Sequence, residues 1–458
     1  MAYTDIDDPT TFFNTILYTG NDASNRGITG VNFAPDWVWI KKRNNAAGGV
    51  ISDTVRSAGK VLYSSETNAE GSESASFVSF DSDGYTISQD AGVGLNVNSH
   101  TYVGWNWLAG GSAPAITYSV KVVSDSGNKY RFDDFGTSAV TLDLQEGGTY
   151  TFDQSDSSNS GHPLRFYTAS DKSGGEYTTG VTTTGTAGSS GAKTVITVAA
   201  SAPTLYYQCS NHAGMGGQAN TNSTFGSSNF SGTEKSTVSI NTTAGFSIMA
   251  YAGTTAVDTY GHGLSQKPEM IIIKRRTLTG NWVIYHKDIG ATKHLHLNTN
   301  DAENTYQYMF NNTEPTNSLI TLSDDGEVNK ASSNYVAYVF HSVKGYSKFG
   351  SYTGNGSSDG SYIHLGFRAS FFICKRTNST DDWFIFDNKR EGYNVDNDEL
   401  RANTTATEGT TDRIDILSNG IKHRNSGSAQ NGSGSTYIYM AFAESPFVNS
   451  NGVPNNAR

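Results

Sequence analysis

The chain has 458 residues, a formal net charge of −11, only 16% charged residues and 49 glycines. This length exceeds one ordinary β domain and favours three or four units. The negative charge argues against a nucleic-acid partner, because neutralising phosphates requires clustered Lys and Arg. Abundant Gly, Ser, Thr and Asn without helical periodicity is typical of strands and turns, so we predict an all-β protein.

The first ten residues are polar and acidic and include Pro9. They lack the apolar core of an export signal, and no later run approaches the length of a membrane span. The sequence therefore predicts cytoplasmic synthesis and assembly and no membrane insertion. Residues 1–10 are predicted to form an N-terminal arm.

Three later segments repeat one skeleton. Each opens with a tyrosine, reaches a lysine at the end of an apolar run 23 residues later, and has a final strand that starts with a tyrosine 84 or 85 residues after the first. The opening tyrosines are Tyr18, Tyr251 and Tyr352, the lysines are Lys41, Lys274 and Lys375, and the later tyrosines are Tyr102, Tyr335 and Tyr437. Agreement at several offsets predicts three copies of one module.

Each copy reads as strands separated by Gly, Asn, Ser and Asp turns, which predicts a β-sandwich of lectin-like or jelly-roll topology. We place module 1 at residues 11–111, module 2 at 236–344 and module 3 at 345–447, followed by a C-terminal tail at 448–458. Tandem sandwiches of this kind imply a stiff, elongated rod. The tryptophans lie within strands and are predicted core residues, and the basic runs at Lys41 and Lys274 are interpreted as solvated strand ends.

The spacing of the copies indicates an insertion. Modules 2 and 3 open 101 residues apart, whereas modules 1 and 2 open 233 residues apart. We predict an inserted domain over residues 112–222 and a linker over 223–235, because the segment around 221–228 is low in hydrophobicity.

The inserted segment carries His162, Cys209, His212 and Met215. A blue-copper centre uses two imidazoles and one thiolate in a trigonal plane, with a weak axial thioether, and these four residues supply that set. One ligand comes from an early strand and three from a tight loop between late strands. We predict a copper site here; a scaffold that holds no metal, or a site that takes Zn²⁺, stays open as an alternative.

This ordered quartet resembles the cupredoxin family, and the Cys-x2-His-x2-Met loop is similar to those of pseudoazurin and amicyanin. The resemblance covers roughly residues 115 to 220. It implies a Greek-key β-sandwich in which His162, Cys209 and His212 are the in-plane ligands and Met215 is the axial ligand.

Other patterns favour simpler interpretations. His286, His294 and His296 lack a further ligand at recognisable spacing, so a polar strand face is preferred to a surface metal site. The acidic turns at 81–84 and 324–327 do not match a calcium loop. No catalytic signature is present, so we predict that the protein is not an enzyme and has no catalytic or cofactor-binding residues apart from the metal ligands. We expect both cysteines, Cys209 and Cys374, to be unpaired.

Residues 33–43, 345–356 and 441–447 carry a second resemblance. They are similar to the module repeated in tail-fibre and other virion proteins of marine bacteriophages, cyanophages especially. The resemblance implies a virion structural protein, a tail fibre or tail appendage that contributes to host-surface attachment. Its expected partners are other virion proteins, further copies of the chain, and a glycan or protein receptor on the host. Three alternatives stay open: a capsid decoration or fibre protein, a cupredoxin-type electron-transfer protein, and a module that binds or cleaves polysaccharide.

Overall fold

A computed structural model describes residues 3–89, 92–110, 113–221, 226–390, 394 and 396–455. The chain forms two compact units. The larger unit comprises Met1–Ala109, Asn241–Val257 and Leu264–Arg458, and the smaller unit comprises Gly110–Ile240 and Asp258–Gly263. Among the described residues, helix is confined to two 3-10 turns, Pro9–Thr11 and Ser157–Asn159, and to the four-residue α1 (Ser428–Asn431). The predicted all-β fold class is confirmed.

Module 1 forms a sandwich of a six-stranded sheet, in the order β1-β9-β3-β4-β5-β6, and a three-stranded sheet, β2-β8-β7. Its strands are β1 (Phe13–Thr19), β2 (Arg26–Thr29), β3 (Trp37–Lys42), β4 (Val50–Asp53), β5 (Lys60–Tyr63), β6 (Gly71–Ser72), β7 (Phe77–Asp81), β8 (Gly84–Ile87) and β9 (Thr101–Trp107). Side chains of both sheets, including Val38, Ile40 and Tyr85, enclose a local core.

The smaller unit is a second sandwich, with a five-stranded sheet β11-β10-β13-β16-β15 facing a four-stranded sheet β12-β18-β17-β14. Its strands are β10 (Ala115–Ser124), β11 (Asn128–Phe132), β12 (Leu142–Asp143), β13 (Thr149–Asp153), β14 (Leu164–Tyr167), β15 (Val181–Thr184), β16 (Lys193–Thr197), β17 (Leu205–Cys209), β18 (Gln218–Asn220) and β19 (Ser227–Asn229), and β20 (Ser236–Asn241) follows. Parallel pairing of β10 with β13 and of β12 with β18 makes both sheets mixed.

The predicted linker contributes to this smaller unit. The Ser228 carbonyl accepts a hydrogen bond of 2.8 Å from the Tyr118 hydroxyl, and Phe230 belongs to the same hydrophobic core as Tyr118. The boundary residues 111, 112 and 222 and the linker residues 223–225 lie outside the described residues. Within the described part of the segment, Ser227–Asn229 form a strand, and Ser228 and Phe230 pack on the inserted sandwich.

Module 2 places the strands β21-β28-β23-β24-β25-β26 side by side in the larger unit. Its strands are β21 (Phe246–Ala252), β22 (Asp258–Gly261), β23 (Met270–Arg275), β24 (Trp282–His286), β25 (Lys293–His296), β26 (Asn304–Thr305), β27 (Leu319–Leu322) and β28 (Asn334–Phe340). The residues of β22 are counted with the smaller unit.

Module 3 is built from one eight-stranded sheet, β29-β36-β31-β32-β33-β34-β35-β30, that folds over a local core between its two halves. Its strands are β29 (Ser347–Thr353), β30 (Tyr362–His364), β31 (Phe367–Arg376), β32 (Trp383–Asp387), β33 (Asp396–Arg401), β34 (Gly409–Leu417), β35 (Gly420–His423) and β36 (Thr436–Pro446).

The internal repeat is reproduced in three dimensions. The opening tyrosine of each module stacks on the tyrosine of its last strand, with ring centroids 4.8, 5.1 and 4.8 Å apart in modules 1, 2 and 3. Each opening hydroxyl donates to a backbone carbonyl, those of Leu95, Val328 and Gln430 respectively.

The three modules share one large hydrophobic core. In β3, Trp37 and Trp39 face this shared core while Val38 and Ile40 face the local core of module 1. A strand that buries both faces must be apolar at every position, which explains the continuous apolar runs. The large sheet of each module has one face on the core shared with the other modules. The prediction of a rod of tandem sandwiches is therefore wrong. All six tryptophans are buried, as predicted.

The three equivalent lysines lie at the junctions between modules. The Nζ atoms donate to carbonyls of a neighbouring module: Lys41 to Thr404 at 2.7 Å, Lys274 to Thr67 at 2.9 Å and Lys375 to Asn300 at 3.4 Å. These contacts run from module 1 to 3, from 2 to 1 and from 3 to 2, so they form a closed cycle. All three lysines are fully buried, and the interpretation of Lys41 and Lys274 as solvated strand ends is wrong.

A second set of contacts repeats at the same junctions. The residue 35 positions after each opening tyrosine meets the next module: Asp53 accepts from the Tyr338 hydroxyl at 2.7 Å, and Asp387 accepts from Trp105 Nε1 at 3.0 Å. In module 2 this position is His286, whose Nε2 lies 3.4 Å from the Tyr439 carbonyl.

Arginines complete two of the three junctions. Arg56 pairs with Asp53 and Glu70, and Arg276 of module 2 also reaches Glu70 at 2.9 Å. The matching network in module 3 joins Arg390 to Asp387 and Glu408, and Arg43 of module 1 reaches Glu408 at 2.8 Å. At the junction of module 2 with module 3 the corresponding positions hold Ile289 and Thr377, so no guanidinium occupies them.

The described part of the N-terminal arm is packed into the larger unit, to which it belongs. Ile6 is buried in the shared core, and the Asp5 amide donates to the Lys344 carbonyl at 3.0 Å. Residues 1 and 2 of the predicted arm, and residues 456–458 of the predicted tail, lie outside the described residues.

Candidate metal centre

Neighbouring strands of the smaller unit bring the predicted ligands together. β14 and β17 are antiparallel partners in which Leu164 lies opposite Cys209. His162 comes just before β14 and therefore lies beside the end of β17. The Ser210 amide donates to the Pro163 carbonyl at 3.0 Å, which extends this pairing beyond the strands. His212 lies in the loop after Cys209, and its imidazole lies next to the Cys209 sulfur.

The spacing of the three ligand atoms fits a metal. Cys209 Sγ lies 3.8 Å from His162 Nδ1 and 3.5 Å from His212 Nδ1. Bonds of about 2.3 Å to sulfur and 2.0 Å to nitrogen, at trigonal or tetrahedral angles, would separate sulfur and nitrogen by about 3.5 to 3.7 Å. The observed distances bracket this range, so a first-row metal ion could be bound with little movement of the side chains.

Burial is graded across the cluster. Cys209 is fully buried, His162 is partly buried and His212 is exposed. Burial, and then the neighbouring His212, lower the pKa of His162, which favours the neutral imidazole that binds metals. The thiol is therefore shielded from solvent, whereas the His212 side of the cluster is open to it.

A second layer of contacts holds His162. Its carbonyl accepts hydrogen bonds from the Tyr130 hydroxyl at 2.8 Å and from Gln154 Nε2 at 2.9 Å. Asn128 Nδ2 lies 3.4 Å from His162 Nε2, the nitrogen turned away from Cys209. Such outer contacts fix the orientation of metal-binding histidines. Sequence reasoning missed all three residues, because Asn128 and Tyr130 lie on β11 and Gln154 directly follows β13, and no spacing rule links them to His162.

The loop that carries His212 is constrained by glycines. A Cβ added to Gly216 would lie 1.6 Å from the Tyr207 carbonyl oxygen, and one added to Gly217 would lie 2.5 Å from the Ala139 oxygen. Only glycine permits so close an approach of two backbone segments. The Asn211 side chain also donates to the Gly161 carbonyl at 2.9 Å, joining the loop to the segment that carries His162.

Met215 is buried in the same hydrophobic core as Cys209. Its carbonyl accepts a hydrogen bond of 2.9 Å from the amide of Tyr130, the residue that also supports His162. Its proposed role as the axial ligand stays a prediction.

The remaining histidines form no such cluster in the described part of the chain, where His162, Cys209 and His212 are the one group of three or more potential ligands brought together. His296 Nε2 lies 3.1 Å from Glu327, and the rings of His294 and His296 are 4.9 Å apart. His286 is buried at its module junction, away from that pair.

The acidic turns have local structural partners. Asp83 accepts from the amides of Gly30 and Asn32, at 3.0 and 2.7 Å, and these bonds lower its pKa. Asp325 accepts from the Glu327 amide at 2.7 Å. Both carboxylates cap turns, as predicted. Both cysteines are free, also as predicted.

One protein family covers most of the chain. A family model described as a domain of unknown function, DUF7483, matches residues 8–133 and 210–446. The chain belongs to the DUF7483 family. Among curated proteins, no match was found. In this DUF7483 protein the unmatched residues 134–209 lie in the smaller unit and contain His162 and Cys209. Membership of the family therefore does not by itself predict the metal cluster. None of the described helices is long and apolar enough to cross a membrane.

Proposed function

We propose that the protein is a structural component of a bacteriophage particle, a tail fibre or tail appendage that contributes to host attachment, and that its inserted domain is a cupredoxin-like copper-binding module. The chemistry of the inserted domain has the most direct support. That support is the placement of one buried thiolate sulfur 3.5 and 3.8 Å from two imidazole nitrogens.

Copper is the metal that this donor set favours. A thiolate and two imidazoles, with a thioether available from Met215, form a softer set than magnesium or calcium accepts. In the proposed site Cys209, His162 and His212 would hold the ion, and Met215 would be available as a further, weak ligand. The alternative that the site takes Zn²⁺ shares the same three ligands and differs in its spectrum.

Titration of the metal-free protein with Cu²⁺ is expected to give intense visible absorption that saturates at one equivalent, because the thiolate donates charge to the bound ion. Cys209→Ser should abolish this band. Cys374→Ser is the matched control, since Cys374 is the second free and buried thiol and lies in module 3. Absorption that is missing, or that survives Cys209→Ser, would contradict the copper site; stoichiometric Zn²⁺ binding without the band would favour zinc.

For the chain as a whole, the proposal rests on the modules. Their three stretches of resemblance to phage virion proteins occur in a unit whose apolar sheet faces are buried together. The family is one of unknown function and supplies no activity. A non-enzymatic role is part of the proposal, and release of sugar from host-envelope polysaccharide by the protein would overturn it.

Immunogold electron microscopy of intact phage particles, with antibody against residues 236–447, tests the proposed location. We expect gold along the tail appendages. Gold on the capsid would instead favour a decoration protein. Absence of gold from the particles would overturn the virion proposal and leave the copper-binding electron-transfer protein as the stronger alternative.

A further inference from the structure

The junction between modules 2 and 3 differs from the other two. Carboxylate–guanidinium networks close the junctions of module 1 with modules 2 and 3, but His286 and Ile289 occupy the corresponding positions here. A cleft of about 550 Å³ lies at this junction. It continues into a recess of about 400 Å³ that reaches Tyr439, the contact partner of His286. Cavities of this size are typical of small-molecule sites.

The cleft is rich in lysine although the chain is acidic overall. Lys287, Lys344 and Lys348 line it together with one carboxylate, Glu269, and the adjoining recess adds a second carboxylate, Asp288. Glu269 is already engaged, because it pairs with Lys287 at 3.0 Å and accepts from the Ser342 amide at 3.2 Å. Positive charge therefore exceeds negative charge at this surface.

Lys348 has capacity for an anionic partner. Its Nζ donates to the His364 carbonyl at 2.6 Å, and among the described residues it forms no ion pair with a carboxylate. The ammonium is half-buried, and burial lowers the pKa of Lys348, with Lys287 adding to the effect. An ammonium in this position would be stabilised by an anion entering the cleft.

Exposed aromatic rings border the lysines. Tyr3 is 61% exposed, and Lys344 Nζ lies 6.0 Å from the centre of its ring. Tyr362, 44% exposed, lines the adjoining recess, and its hydroxyl is held by Asn419 Oδ1 at 2.6 Å. Exposed tyrosine rings offer an apolar face and a polar tip, a combination suited to a ring that carries hydroxyl groups.

We propose that this cleft binds an acidic saccharide, a sugar that carries a carboxylate, with the carboxylate on Lys348 and Lys344 and the sugar ring against Tyr362 or Tyr3. The inference deepens the proposed attachment function and rests on it. The six tryptophans do not contribute to such a site, because all of them are buried.

Binding of the full-length protein to immobilised neutral, carboxylated and sulfated saccharides tests the proposal. We expect saturable binding to carboxylated sugars and at least tenfold weaker affinity in Lys344→Gln/Lys348→Gln, since each charge-assisted contact contributes on the order of tenfold. Urea unfolding of the double variant, followed by tryptophan fluorescence, checks that the fold is kept. Lys389→Gln is the control, because Lys389 is exposed and lies outside the cleft.

Three outcomes would overturn the acidic-saccharide site: no binding to carboxylated sugars, equal binding to their neutral counterparts, or unchanged affinity in the double variant. Preferential binding of sulfated sugars would also overturn the carboxylate assignment. Immunogold labelling of tail appendages would still support the attachment function in each of these cases, so failure of the site and failure of the proposed function are distinguishable.

Discussion

Replacing Arg56 with alanine is expected to lower the free energy of unfolding of the larger unit by about 3 to 5 kcal/mol, because it leaves a buried carboxylate without its cation. Asp53 and Arg56 have fully buried side chains and form a direct ion pair. Arg56 also lies 3.3 Å from the Tyr338 hydroxyl of module 2, and the nearby carboxylates raise its pKa against the effect of burial. The substitution therefore disturbs one module and its junction together.

Urea unfolding followed by tryptophan fluorescence measures this loss selectively, since all six tryptophans belong to the larger unit. Glu303→Ala is the matched control: Glu303 follows Tyr251 by the same 52 residues that separate Glu70 from Tyr18. Its pair with Lys293 is partly exposed, so a loss below about 1 kcal/mol is expected. Equal losses in the two variants would contradict a dominant role for the Arg56 junction.

A rise in stability with pH is expected from the three junction lysines. Burial lowers the pKa values of Lys41, Lys274 and Lys375 from 10.5 to about 8. Between pH 8 and 10 the unfolded lysines keep their protons while the folded ones release them. The unfolded state then binds more protons, so the free energy of unfolding rises with pH, by about 2 kcal/mol per lysine.

Urea unfolding at pH values from 7 to 10 measures this rise. Lys274→Met should reduce it by about one third, whereas Lys389→Met, at an exposed position, should leave it unchanged. Above pH 10 the trend should reverse, because burial raises the pKa values of Tyr18 and Tyr352 and the unfolded tyrosines ionise first. Cys374 and the buried tyrosines oppose the rise as the pH approaches 10, because burial raises their pKa values and their unfolded forms ionise first. The difference between the parent protein and Lys274→Met therefore carries the test, and an equal pH dependence of the two would contradict the lysine mechanism.

The repeat and the core residues could be predicted from the sequence, because offsets and apolar runs are local patterns. The junctions could not. Lys41 has the sequence pattern of a strand end in its own module, and its buried ammonium donates to the Ala47 carbonyl there and to the Thr404 carbonyl of module 3. The repeat did hold one overlooked signal: Asp53 and Arg56 match Asp387 and Arg390 at offsets 35 and 38 from their tyrosines.

The ligand cluster was predictable for a different reason. Cys209 and His212 are close in sequence, and their residue types are rare in this chain, which has two cysteines and ten histidines. The support from Tyr130 and Gln154 was not predictable, since it depends on which strands become neighbours. The cleft between modules 2 and 3 was missed as well, because its lining combines residues of two modules that are far apart in sequence, such as Lys287 and Lys348.

The shared core also sets an order of events during folding. Trp105 and Asp387 are 282 residues apart, and Lys41 and Thr404 are 363 apart, so these contacts are among the least local that a chain of this length can form. Contacts of this range form slowly. The tryptophan face of module 1 leaves the ribosome long before the strands of module 3 that cover it. The inserted sandwich, with its own core, can fold in that interval. Assembly of the three modules is then a late step, and until it is complete the exposed aromatic surface of module 1 could aggregate with other chains.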